Sequence, residues 1–297
     1  MEPTAGRFEL HQVGVSGIRK PLTIHRPDRV VTLTTTFEVA VDLPSTRKGS
    51  DLSRNAILLA EIVDETAVRP APSLESACVA IARALLQRHK YARTATVDAS
   101  AEYFLRRGIA EQRMSMEDYT LLAAARSTRS QADGPVSVTK SIGAEAVGMT
   151  ACPCAMETAR DALSEEFPLL RDPSLKSMPM ITHNQRNRTR LMFDLADDVE
   201  IEVDDLIGTI EAAQSSPTYA ILKRGDEAQM VIQAHQHPKF VEDVLRDLLH
   251  RVTKAFPNVP DTAFVRARTV SEESIHKYNV VAAHQALLGE LRKTTPS

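Results

Sequence analysis

The 297-residue sequence predicts an α+β protein, with antiparallel sheets and paired helices on one face. Segment 30–44 alternates apolar and polar residues, the pattern of a half-buried strand. Segments 51–66 and 73–90 then place apolar residues at helical spacing. The order strand, helix, helix, strand returns in the second half without matching residue identities, so we interpret the chain as a duplicated module.

The first half supplies the clearest element signals. The predicted buried face of strand 30–44 carries Val31, Leu33, Phe37, Val39, Val41 and Leu43. Asp51 or Ser53 can cap the helix that follows. Helix 73–90 has an apolar face, and a further strand runs from Thr94 to about Leu105.

The second half repeats this order after a weak boundary at 130–136. Segments 137–152, 188–203 and 261–270 are predicted to be strands. Segments 154–167, 204–214 and 237–256 are predicted to be helices.

Composition excludes several classes of function. A net charge of −3 argues against nucleic-acid binding through a globally basic surface, and the absence of Trp leaves few base-stacking side chains. No apolar run approaches the roughly 18 residues of a membrane span. The first residues lack the basic-then-apolar pattern of a signal peptide, so we expect a cytoplasmic protein with no nucleic-acid or membrane partner.

The three cysteines raise the main chemical question. Cys78 lies on an apolar helix face, where a thiol behaves as a small core hydrophobe. Cys152 and Cys154 flank Pro153 between a predicted strand and a predicted helix, and a disulfide, a metal site or a reactive thiol could explain them. An odd cysteine count argues against a disulfide framework, while C-x-C alone is a weak metal signal.

Four other segments concentrate reactive side chains in predicted turns. They are THNQR with His183 and Arg186, ILKRGDE with Lys223, Arg224 and Glu227, AHQHPKFVED with His235, His237 and Glu242, and EESIHKYN with His276. A thiolate, an imidazole and a carboxylate together suit a divalent metal, and three protein ligands leave a position for water. Each side chain could equally be a solvated surface residue, so spacing alone does not decide whether these residues form a metal site.

Seven segments together carry a resemblance to a known family. They are VGVSGIRKPL (13–22), FEVAVDLPSTRKGSDLSR (37–54), GAEAVGMTACPCA (143–155), THNQR (182–186), SSPTYAILKRGDEA (215–228), HPKFVEDVLRD (237–247) and ESIHKYN (273–279). In this order, and over nearly the whole chain, they resemble the type IB GTP cyclohydrolases, particularly the archaeal iron(II)-dependent branch. The resemblance implies two tandem tunnelling-fold modules, 1–133 and 134–297, in a homotetramer with active sites at subunit interfaces.

The same resemblance implies roles for individual residues. Cys152, His183 and Glu227 correspond to ligands of a divalent metal, with Fe(II) favoured over Mn(II) or Zn(II). Glu242 corresponds to the carboxylate that anchors guanine, and His276 to a histidine near the reacting centre. The implied reaction uses water to open the imidazole ring of GTP, with formate release, and gives a dihydroneopterin phosphate for pterin biosynthesis. Candidate cations for the phosphates are Lys48, Arg54, Arg186, Lys223 and Arg224.

One departure from the family pattern bears on the substrate. Where the family commonly has K-G-x-H-M-S-R, residues 48–54 read KGSDLSR, so Asp51 replaces a histidine. This change leaves open a related activity on another purine nucleotide. The alternative among enzymes is a tunnelling-fold relative that acts on a different purine or pterin. A non-catalytic metal-binding protein is the alternative from a different class.

Overall fold

The structure is a computed structural model that describes residues 8–110, 113–130, 134–175 and 178–294. The strands are β1 (Leu10–His25), β2 (Val30–Leu43), β3 (Thr94–Ala110), β4 (Arg113–Arg129), β5 (Val136–Ala151), β6 (Asn184–Ala196), β7 (Ser216–Pro217), β8 (Phe264–Glu272) and β9 (Val280–Leu287). The helices are α1 (Leu52–Thr66), α2 (Leu74–Arg88), α3 (Pro153–Glu166), α4 (Val203–Ala213), α5 (Arg224–Gln236), α6 (Val241–Ala255) and α7 (Leu288–Thr294). Among the described residues, no helix has both the length and the apolar character that crossing a membrane requires.

The strands are hydrogen-bonded in the order β1-β2-β3-β4-β5-β6-β8-β9, and β7 pairs with β5. The pairings β1–β2, β2–β3, β5–β7 and β8–β9 are antiparallel. Residue contacts divide the described chain into two compact units. Unit 1 draws on the described residues within 1–103, 120–143 and 193–200, and unit 2 on those within 104–119, 144–192 and 201–297.

Unit 1 buries one face of β2 together with faces of α1 and α2. The core includes Leu33, Phe37, Val39, Val41, Leu59, Val63, Ile81 and Leu85. Ser73 caps α2 by accepting a hydrogen bond from the Ser76 backbone N–H at 3.2 Å. In β1 the register shifts between Val15 and Ile18, where Gly17 has φ +72°, a conformation that glycine adopts without steric cost.

In unit 2, strand β6 alternates buried and more exposed side chains. Gln185, Asn187, Thr189 and Leu191 are buried, whereas the arginines between them are exposed. Helices α4 and α6 bury apolar faces, with Leu206, Ile207, Ile210, Val244, Leu248 and Val252 among the buried side chains. By contrast, α3 buries only Ser164, and α5 only Asp226 and Ala234.

The predicted α+β class is confirmed, as are β2, α1, α2, β5, α3, α4, α6 and β8, whose ends differ from the predictions by at most four residues. Other expectations were wrong in detail. The strand expected over 188–203 ends at Ala196, because a turn precedes α4. The ILKRGDE segment opens helix α5 and is not a simple turn, while β1, β4 and β9 were not predicted.

The element order ββααββ occurs over 10–129 and again over 136–287, where α3, β7 and α5 are added. This repetition agrees with a duplication. The modules 1–133 and 134–297 stay a prediction, because the two compact units alternate along the chain. The expected boundary at 130–136 includes residues 131–133, which lie outside the described residues.

Candidate active site

Cys152 stands at the junction of β5 and α3. It is the N-cap of α3, Pro153 occupies the first helical position, and the Cys152 thiol accepts the Ala155 backbone N–H at 3.5 Å. The side chain is half-buried, whereas Cys154 is exposed and Cys78 is fully buried. Negative charge is favoured at a helix N-terminus, so this position suits a thiolate.

His183 lies beside Cys152 because β6 begins next to the end of β5. The Cys152 backbone N–H donates to the His183 carbonyl at 3.2 Å, and the Thr182 hydroxyl donates to the Cys152 carbonyl at 2.7 Å. His183 Nδ1 lies 3.1 Å from the Ser274 hydroxyl. No described residue hydrogen-bonds Nε2, so that nitrogen is the one available to a metal.

The segment before α6 reaches the same place. The Lys239 backbone N–H donates to the Ala151 carbonyl at 3.1 Å, immediately before Cys152. Asp243 accepts the Phe240 backbone N–H at 3.1 Å and thereby caps α6. Glu242, in the first helical turn, is exposed, and its carboxylate is not used for capping.

His276 belongs to the exposed segment that follows β8. Its ring stacks on Tyr278 with centroids 5.0 Å apart and an interplanar angle of 8°. Ser274, two residues earlier, contacts His183. The structure therefore brings the segments carrying Cys152, His183, Glu242 and His276 together.

Glu227 lies in the first turn of α5. The neighbouring Asp226 is buried, pairs with Arg113 at 2.5 Å and accepts the Lys223 backbone N–H at 3.0 Å. Both carboxylate oxygens of Glu117 accept the Ala220 backbone N–H, at 3.0 and 2.9 Å. Two residues of β4, four positions apart, thus anchor the chain that leads into α5, and Glu227 itself is exposed.

Within the described residues, no three His, Cys, Asp or Glu side chains lie close enough to hold a metal ion. The thiol of Cys152 and the imidazole of His183 are ligand types that a divalent metal accepts, and they belong to neighbouring chain segments. Together with Glu227 they form no group of three within one chain. The predicted three-ligand set stays a prediction. Cys78 can be set aside as a ligand, because burial raises the pKa of its thiol far above the ordinary value.

The candidate phosphate cations are scattered. Lys48 and Arg54 belong to unit 1, where Asp51 pairs with Arg54 at 3.2 Å and with Arg47 at 3.8 Å. The guanidinium of Arg47 lies 4.0 Å from the centre of the Tyr91 ring. The other three cations, Arg186, Lys223 and Arg224, are exposed on unit 2.

Sequence reasoning missed several residues that shape this region. Thr182 and Ser274 lie inside segments already singled out, but no local pattern announces their hydrogen-bond partners. Arg113 and Glu117 escaped notice because β4 itself was not predicted. His235 and His237 each hydrogen-bond through Nδ1 to a backbone carbonyl one turn earlier in α5.

Comparison with known proteins identifies close relatives. The family described as type I GTP cyclohydrolase folE2 matches residues 1–282. A GTP cyclohydrolase MptA of Methanococcoides burtonii is 42% identical over 293 residues, covering 96% of this chain and 92% of that protein. The MptA of Methanothermobacter thermautotrophicus is 39% identical over 290 residues, covering 95% and 91%.

Solved structures resemble the fold at much lower identity. The uricase of Arthrobacter globiformis superposes with a TM-score of 0.56 at 9% identity, covering 94% of this chain and 93% of that chain. A hyper-thermostable variant of AgUricase gives a TM-score of 0.53, also at 9% identity, covering 93% and 91%. At this identity the likeness concerns the fold alone, and it confirms the expected tunnelling fold.

Proposed function

Since the chain belongs to the type I GTP cyclohydrolase folE2 family, we propose that it is a metal-dependent GTP cyclohydrolase that opens the imidazole ring of guanine and releases formate. The product is a dihydroneopterin phosphate that serves pterin biosynthesis. The observation that carries the proposal is the Cys152–His183 junction, where a 3.2 Å backbone hydrogen bond joins the residue that carries the thiol to the residue that carries the imidazole. The segments of Glu242 and His276 reach this junction from two other elements.

Cys152 and His183 would hold the metal through Sγ and Nε2. A thiolate and an imidazole suit Fe(II), and they also accept Mn(II) or Zn(II). Such a metal supplies Lewis-acid activation of water at neutral pH. Glu227 would complete the ligand set from a neighbouring copy of the chain, since no three such side chains are grouped among the described residues of one chain.

The chain's own residues bind and orient the substrate. The exposed Glu242 carboxylate accepts hydrogen bonds from guanine N1–H and the exocyclic amine, and its charge strengthens them. His276 moves protons during ring opening, a task for which imidazole is suited near neutral pH. Lys48, Arg54, Arg186, Lys223 and Arg224 are the cations proposed to meet the phosphates.

The assembly is a cytoplasmic homotetramer with composite sites. Helix α5 supports this part of the proposal, because it buries little against its own chain and exposes Val231 and Ile232. Contact with a second copy would remove the apolar surface of these two side chains from water. Light scattering at assay concentration measures the mass, and a fully active monomer would contradict the composite site.

Anaerobic incubation with Fe(II) and GTP tests the activity, with formate and the fluorescence of the oxidised pterin as readouts. Cys152→Ser should abolish turnover and lower metal content while far-UV circular dichroism stays native. Cys154→Ser is the matched control, because the exposed Cys154 starts the same helix and should keep both metal and activity. Loss of metal only in Cys154→Ser would show that the wrong cysteine has been assigned. Formate release with adenosine or inosine triphosphate, but not GTP, would favour another purine.

A further inference from the structure

A row of arginines covers one face of unit 2 beside the candidate site. Between Arg186 and Arg190, strand β6 exposes an arginine at every second position, and the neighbouring β8 adds two more. We call this group the arginine stripe, and its members are Arg186, Arg188, Arg190, Arg266 and Arg268. Alternate residues of a strand point to the same face, so the stripe lies opposite the buried Asn187 and Thr189.

The protein's own carboxylates meet only part of the stripe. Glu145 pairs with Arg188 and with Arg190, each at 3.0 Å, and Glu272 lies 3.4 Å from Arg188. Arg186 and Arg268 are exposed and form no ion pair with any residue that the structure describes. Like charges on neighbouring strands repel each other and destabilise a sheet. A bound anion would relieve this repulsion, so the stripe suits a surface that binds anions.

The far end of the stripe borders an open cavity of about 580 Å³. Arg190, Arg266 and Arg268 line it, together with His284 and Gln285. Guanidinium groups match phosphate oxygens in geometry and charge, and the amide of Gln285 adds further hydrogen-bonding capacity. The cavity therefore has the chemistry to receive a phosphate chain.

The stripe leads from this cavity to the candidate site. At about 3.3 Å per residue of strand, Arg186 lies roughly 10 Å along the chain from His183, and Arg190 roughly 23 Å. Charges at such distances act mainly on the approach of a charged ligand, because a surface lined by one sign of charge raises the local concentration of its counter-ion.

We propose that the arginine stripe is an anion-guiding surface that captures the phosphate chain of the nucleoside triphosphate and speeds its association with the site. This role rests on the proposed function, since it requires a triphosphate substrate. It concerns the encounter and not the chemical step, so its effect falls on the association rate constant and fades as salt screens the charges.

The test uses the holoenzyme and a fluorescent 7-deazaguanosine triphosphate, whose five-membered ring cannot be hydrolysed. Stopped-flow fluorescence measures the association rate constant for the parent, Arg268→Gln and Arg268→Glu. We expect decreases of about twofold for Gln and about fivefold or more for Glu near 20 mM ionic strength, and convergence with the parent near 500 mM. Arg268→Lys should restore the parent rate.

Lys254→Glu provides the matched control, because Lys254 is an exposed cation on α6, outside the stripe. It changes the net charge as much as Arg268→Glu and should leave association near the parent rate. Equal rates for Arg268→Glu and Lys254→Glu, with normal binding by the parent, would overturn the anion-guiding surface and leave the proposed function intact. Failure of the parent to bind the probe at all would overturn the proposed function and the stripe's role with it.

Discussion

Replacing Glu242 with glutamine separates guanine recognition from helix stability. Glu242→Gln keeps the size of the side chain but offers an amide donor where guanine presents N–H donors. Glu242 is exposed and Asp243 provides the cap of α6, so the change should alter the free energy of unfolding by no more than about 1 kcal/mol. Loss of a charged hydrogen bond costs about 1.5–3 kcal/mol, or roughly a ten- to hundredfold loss of affinity.

The assay combines calorimetric titration of 7-deazaguanosine triphosphate with metal analysis and urea denaturation. Metal content should persist in Glu242→Gln while nucleotide affinity collapses. Asp243→Asn is the matched control, because it weakens the bond to the Phe240 N–H and should lower stability by about 1 kcal/mol with affinity near the parent value. Parent-like binding by Glu242→Gln would refute the assigned anchor. An equal loss of affinity in Asp243→Asn would show that helix integrity, and not the carboxylate, was measured.

Three further predictions concern the surroundings of the site and the core. Ser274→Ala removes the partner of His183 Nδ1, so Co(II) affinity should fall about tenfold by visible absorption, with recovery in Ser274→Thr; unchanged affinity would deny Ser274 an orienting role. Arg113→Ala leaves the buried Asp226 without its cation, so urea denaturation should show a free energy of unfolding lower by about 3 kcal/mol. Adding Asp226→Asn to this variant should recover part of the loss. Burial lowers the pKa of His89 below its ordinary 6.5, so the unfolded chain takes up a proton at a higher pH than the folded chain does. The free energy of unfolding should therefore decline as pH falls below 6.5 towards the folded-state pKa. Urea titrations from pH 7.5 to 5 measure this decline, and His89→Gln should make it less steep.

Elements whose pattern records local burial could be predicted from sequence. Strand β2 buries its apolar positions, and α2 combines an apolar face with Ser73 at its cap. Strand β1 was missed because Gly14, Gly17 and Pro21 favour a loop by local criteria, yet an edge strand with a bulge tolerates all three. Helix α5 was missed because it buries only two side chains and therefore shows no single apolar face.

The sequence by itself determined the local chemistry of the site. Helix caps and hydrophobic periodicity depend on neighbouring residues, so they can be predicted from sequence. The sequence therefore places Cys152 before Pro153 at a strand–helix junction, and Glu242 at the start of an amphipathic helix. Only the tertiary structure decided that the backbones of His183 and Cys152 pair and that the Ser274 hydroxyl contacts the His183 ring. These outcomes depend on strand register and on hydrogen bonds between segments distant in the chain, and no local pattern encodes them.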